Sequence, residues 1–247
     1  MVDLGADLQS SPKHPDAVEK GTAVRKDKVV LGVDLRSSPK HPSAVAALDS
    51  HAEVTYLGTA HADAELVQLI QTLQPSLIAI GTPLGLPDGL CCLETSCVCQ
   101  SSSHQRKGRL LELELSRMGI SCFFTGKGSI ISSLIYRGIK LSRELSDMGF
   151  EVIEVYPHAT KVVLFGGKVP PKNSAQSLAF MKEHLPGLIT GLERYLPSMD
   201  RNLYDAVVNG YTAYLHSQDG TDLLGNQKEG LLALPKLVPK EAPVISV

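Results

Sequence analysis

The chain has 247 residues, 43% of them hydrophobic, enough to bury a sizeable core as one large domain or two small ones. Its 24 basic and 26 acidic residues leave a formal net charge of -2, which excludes a global attraction to nucleic acid or anionic membranes and leaves that work to local basic patches. No run of 18 apolar residues occurs and the N-terminus lacks the basic, then apolar, pattern of a secretory signal, so a soluble intracellular protein is expected.

The chain opens with a repeat. LGADLQSSPKHPDAV at 4–18 returns as LGVDLRSSPKHPSAV at 31–45, with 12 of 15 positions identical. The second copy follows Lys28-Val29-Val30, and Lys28 to Leu35 reads as a buried strand with Asp34 at its exit. The first copy, carrying Asp7, is followed by a polar stretch. Residues 1–27 are therefore read as a tail left by local duplication, disordered or loosely docked.

Further along, Ala52 to Leu57 alternates as a second strand, and Asp63 to Leu73 has the spacing of an amphipathic helix. Ser76 to Ile80 is a short apolar run, as expected of a central strand covered on both faces. It ends at Gly81-Thr82-Pro83, which can continue neither regular structure. Residues 88–108 form an irregular, cysteine-bearing insertion, after which Arg109 to Met118 is helical. SCFFTGKG offers a short strand and a turn, and Ser129 to Met148 a long helix with Ser129 as N-cap and Gly149 as its stop. FEVIEVY (150–156) alternates as a strand, His158 to Phe165 reads as a short helix, and 174–196 holds one or two more. Leu203 to His216 is apolar on several faces and so a buried helix, and GLLALP is a last strand. Strands separated by helices give an α/β fold with a partly parallel sheet. No linker divides the region from 28 to 240, which is read as one domain followed by a tail at 241–247.

Reactive residues in such sheets gather at strand ends and helix starts. Asp34, Glu154 and Asp205 meet that condition and are expected to converge. Carboxylates inside apolar elements are costly unless paired, and a shared Mg²⁺ or Mn²⁺ would relieve their repulsion. The alternative is that they cap backbone groups or pair with Arg and Lys. Cys91-Cys92-x4-Cys97-x-Cys99 gathers four soft ligands within nine residues. These suit Zn²⁺ or an iron–sulfur centre, with His104 or Cys122 as substitutes, or else remain reduced thiols. Thr125-Gly126-Lys127-Gly128-Ser129 is either a plain turn or a phosphate contact through Lys127, to which Arg106, Lys107, Arg109, Arg137, Lys140 and Arg143 could add basic surface. No stripe of aromatics for single-strand stacking is legible. His158 is either a packed histidine or a ligand or base.

The series GVDLR, IAIGTPLGLP, RLLELELSRMGISCFFTGKGSIISSLIYRGIKL, FEVIEVYPHATKVVLFG, LYDAVVNGYTAYL and KEGLLALP, running from about 28 to 236, resembles a domain-of-unknown-function family of predicted nucleases. The resemblance implies an RNase H-like mixed sheet flanked by helices and metal-dependent hydrolysis of nucleic-acid phosphodiesters. It makes Asp34 the first-strand carboxylate, Asp205 the late-helix carboxylate and Glu154 a further acid, with Mg²⁺ or Mn²⁺ on Asp34 and Asp205. Relatives carry an acid where this chain has Gly81. The rival readings are a non-catalytic nucleic-acid or nucleotide-binding module, and a metal- or redox-linked scaffold organised by the cysteine loop.

Overall fold

The computed structural model describes residues 28–38, 41–100, 106–171 and 174–237. The first repeat copy with Asp7, His104 and the tail at 241–247 lie outside them.

Seven strands form one mixed sheet in the order β3-β2-β1-β4-β5-β7-β6. The strands are β1 (Val30–Asp34), β2 (Ser43–Leu48), β3 (Val54–Ala60), β4 (Leu77–Ile80), β5 (Val152–Val155), β6 (Thr221–Asn226) and β7 (Gly230–Pro235). β1, β4, β5 and β7 run parallel to one another. β2 is antiparallel to β1 and β3, and β6 to β7. The helices are α1 (Asp63–Leu73), α2 (Leu110–Arg117), α3 (Ser132–Asp147), α4 (Pro157–Phe165), α5 (Ala175–His184) and α6 (Arg201–Ser217).

The central strands bury both faces, as parallel strands under two helical layers must. Leu31, Val33, Ile78 and Ile80 pack with Leu66 and Ile70 of α1 and Leu141 and Leu145 of α3. Val30, Ala79 and Val155 pack on the opposite face with Tyr204, Val207 and Val208 of α6. A third cluster joins Leu111 and Leu115 of α2 to Leu232 and Leu234 of β7. Helix α6 and strand β1 approach closely at two glycines. A Cβ on Gly32 would lie 2.0 Å from the Gly210 amide nitrogen and 2.2 Å from the Ala206 carbonyl oxygen. Only glycine at position 32 lets α6 sit this low on β1.

Most expected elements form. β2 was not anticipated: SAVAAL is rich in alanine, a poor strand former, yet every residue of it is buried between its neighbours. β6 was also missed, since four of its six residues are polar or glycine and its place is the sheet edge. SCFF forms no strand. The long helix begins at Ser132, not Ser129, with Ile131 at the N-cap. Gly149 stops it at φ +89°, a conformation that favours glycine. Among the described residues, no helix is long and apolar enough to cross a membrane.

Candidate active-site edge

The pleat decides which carboxylates can meet. Asp34 lies two residues beyond Gly32 and so shares its α6-facing side. Gly81 follows Ile80, an α3-facing residue, and so turns toward α6 as well: its Cβ would lie 2.5 Å from Asn209 Nδ2. Asp205 and Asn209 stand one turn apart on the same stripe of α6. Asn209 Nδ2 donates to the Val33 carbonyl at 2.9 Å, which ties this stripe to the end of β1. Asp34, Asp205, Asn209 and Gly81 thus share one end and one face of the sheet.

Asp205 is 3% exposed, and its Oδ1 accepts from Lys161 Nζ of α4 at 2.7 Å. Lys161 is itself 3% exposed, so the pair is shielded from water and each charge depends on the other. Asn209 Oδ1 is buried without a hydrogen-bond partner among the described residues. Such an acceptor is costly inside a fold unless something else reaches it. His158, also on α4, stacks edge-on to Tyr156 with ring centroids 5.8 Å apart. Burial pushes the Tyr156 phenol up to about 12, with Cys122 and Asp205 adding to the shift.

Glu154 does not join this group. It pairs in register with Ile80 and so points to the α2–α3 face. There its Oε1 accepts from Arg109 Nη2 and its Oε2 from Arg109 Nη1, both at 2.7 Å, and Oε2 also accepts from the Leu84 amide at 2.8 Å. The expected convergence of three acids is corrected for Glu154, because strand alternation sends it through the sheet. Arg109 is corrected as well: read as a phosphate contact, it is 1% exposed and committed to Glu154 and Glu112. Burial acts to lower its pKa, but the two carboxylates outweigh that and hold it above its ordinary value.

The network around Arg109 extends further. Glu112 accepts from Arg109 Nε at 2.9 Å, from the Thr125 amide at 2.8 Å and from the Thr125 hydroxyl at 2.5 Å. Glu229 accepts from the Asp88 and Leu110 amides, at 2.8 and 2.9 Å, and from Arg106. Both ends of the insertion are therefore pinned to one buried carboxylate in the β6–β7 turn.

The remaining basic candidates are partly spoken for. Arg137 forms an ion pair with Asp63 at 2.6 Å and donates to the Arg36 carbonyl. Lys127 donates to the Cys97 carbonyl. It lines a groove of about 840 Å³ with Arg106, Lys107, Phe123 and Phe124. Phe123 is 60% exposed there, and the Lys107 ammonium lies 5.0 Å from the Phe124 ring centroid. The groove shares Cys122 and Phe123 with a cavity of about 180 Å³ that reaches Gly81 and Thr82. The four clustered cysteines bring their sulfurs within 4.8 Å of one another.

Sequence reasoning missed Lys161 and Asn209. The signal for Asn209 was its i+4 spacing from Asp205, and for Lys161 its place in a helix otherwise apolar after Thr160.

No family model matches the chain, and no curated protein does. Among solved structures it is similar to Thermus thermophilus RuvC, at 10% identity over 78% of this chain and 97% of that chain, with a TM-score of 0.41. The fold class rests on the topology itself. A β3-β2-β1-β4-β5 order with only β2 reversed, and helices on both faces, is an RNase H-like sheet; here β7 and β6 extend it.

Proposed function

We propose that the chain is a divalent-metal-dependent nuclease, hydrolysing nucleic-acid phosphodiesters at the edge formed by Asp34 and Asp205. The observation that supports this reading is the buried Asn209 Oδ1, without a partner among the described residues, on the face of the sheet that Asp34 and Asp205 share at the exit of β1 and β4. Mg²⁺ is commonly held by one or two carboxylates together with waters and substrate phosphates, so this oxygen set suits a single ion. When bound, the ion would supply Lewis acidity and a more acidic water. Asp34 and Asp205 would hold it, and Asn209 would offer a neutral oxygen where Gly81 supplies none. Lys161 fixes one oxygen of Asp205. Glu154 acts only by holding Arg109 and the Leu84 amide. The groove with Lys107, Lys127 and Phe123 supports a single-stranded substrate, since it combines cations with an exposed ring.

The test is cleavage of labelled single- and double-stranded DNA and RNA with Mg²⁺ or Mn²⁺. The wild-type chain is expected to cut, and Asp34→Ala to fall to background. Equal rates in the two proteins would refute the assignment.

One observation favours a second reading, a binding module without turnover. The Lys161 ammonium already neutralises Asp205. Tight binding of the same strands, unchanged by Mn²⁺ and without products, is the outcome that reading expects.

A further inference from the structure

The insertion at 88–108 contains no regular element among its described residues. Its two ends are held by Glu229 and its middle by a few hydrogen bonds, with little apolar packing. Among its described residues Leu93 is the one buried apolar side chain there, at 2% exposure, whereas Val98 is 93% exposed. Into this poorly packed stretch the chain places four cysteines. Cys91 is exposed and the other three are half-buried, which is not how cysteine is used as a small core hydrophobe.

We propose that Cys91, Cys92, Cys97 and Cys99 bind one Zn²⁺ ion, and that this ion closes residues 91–99 into a fixed loop. A tetrahedral site with Zn–S bonds of about 2.3 Å sets its sulfurs about 3.8 Å apart. The Cys91 and Cys97 sulfurs are 3.6 Å apart, and all four lie within 4.8 Å of one another. Small side-chain rotations bring such a set onto a single ion. An iron–sulfur cluster binds its thiolates to separate irons around an inorganic core and therefore spreads them more widely. All four cysteines are free thiols in this structure, as metal ligation requires. A short segment with almost no apolar burial gains its order from a metal in the same way that small metal-organised domains do.

The loop so closed would also shape the groove. The Leu93 amide donates to the Tyr136 hydroxyl at 2.6 Å, and the Leu93 carbonyl accepts from the Gly128 amide at 2.8 Å. Lys127 donates to the Cys97 carbonyl, between two of the ligands. The ion is thus a structural one, placed beside the Lys127 turn and independent of the Asp34 edge.

The experiment is elemental analysis of the full chain purified without a metal-binding tag. It is followed by zinc release with a mercurial and reconstitution with Co²⁺ alone. One zinc per chain is expected. It should be lost in Cys97→Ser/Cys99→Ser and retained in Cys122→Ser, whose cysteine lies outside the cluster. The Co²⁺ form of the wild-type chain should show the thiolate-to-cobalt charge-transfer and intense visible bands of a tetrahedral sulfur site, a readout that holds even if the double variant does not fold. Absence of stoichiometric zinc, stoichiometric iron in its place, or a Cys91–Cys97 disulfide in unreduced peptides would overturn the proposal.

Discussion

Two charged clusters lie at the same end of this sheet on opposite faces, and they differ in how completely their groups are paired. Around Arg109, each carboxylate oxygen of Glu112, Glu154 and Glu229 accepts at least one hydrogen bond. Around Asp205, a single lysine faces the carboxylate and the neighbouring Asn209 Oδ1 has no partner among the described residues. Buried carboxylates whose oxygens are all taken fix geometry and have no acceptor left for a cation. An unsaturated cluster at a strand exit leaves oxygens for a cation or a substrate. The comparison teaches that burial and charge, which the two clusters share, do not by themselves mark a ligand site; the clusters differ in whether acceptor oxygens are left over.

The largest effect should separate the clusters by stability. Arg109→Met leaves two buried carboxylates, Glu112 and Glu154, short of partners and is expected to cost about 3–5 kcal/mol, the scale for breaking a buried ion pair. Asp34→Asn, at a half-buried strand exit, should cost within about 1 kcal/mol. Urea denaturation of both variants checks this, and a comparable loss in the two would dissolve the distinction.

Lys161→Met comes next. It strands Asp205 in the interior, so about 3 kcal/mol of stability should be lost without metal. Much of that should return with millimolar Mn²⁺, because the cation replaces the ammonium. Thermal melts with and without Mn²⁺ measure it; equal losses in both conditions would show that no cation reaches Asp205.

Gly81→Ala is a smaller probe of the same face. Its new Cβ would sit 2.5 Å from Asn209 Nδ2, an overpacking expected to cost about 1–3 kcal/mol. Adding Asn209→Ala should recover part of the loss, and a double-mutant cycle reports the coupling. The smallest effect concerns reactivity. Burial and the Glu112 charge push the Cys122 thiol up to about 11, so at neutral pH it stays protonated. It should therefore react with iodoacetamide more slowly than a free cysteine, its rate rising only as pH approaches that value. Mass spectrometry of the labelled peptide follows it.

Much of the fold was legible because its signals are local. The apolar run at Leu77–Ile80 and the periodicity of Asp63–Leu73 report their own environments. β2 was not legible, since alanine carries no strand preference and only its neighbours bury it. At the site, Asp34 and Asp205 were readable as acids at element ends. The fate of Glu154 was not, because it depends on register with Ile80 and on an arginine 45 residues earlier. The same holds for Asn209, whose amide fills the space beside Gly81 only because Gly32 lets α6 approach.

The most direct test of the central claim is Mn²⁺ binding by calorimetry on the full chain as purified, comparing wild type with Asp34→Asn, Asp205→Asn and Glu154→Gln. The account predicts one Mn²⁺ site in the wild type, lost in both aspartate variants and kept in Glu154→Gln provided that variant is folded. Unchanged Mn²⁺ binding in Asp34→Asn would contradict it.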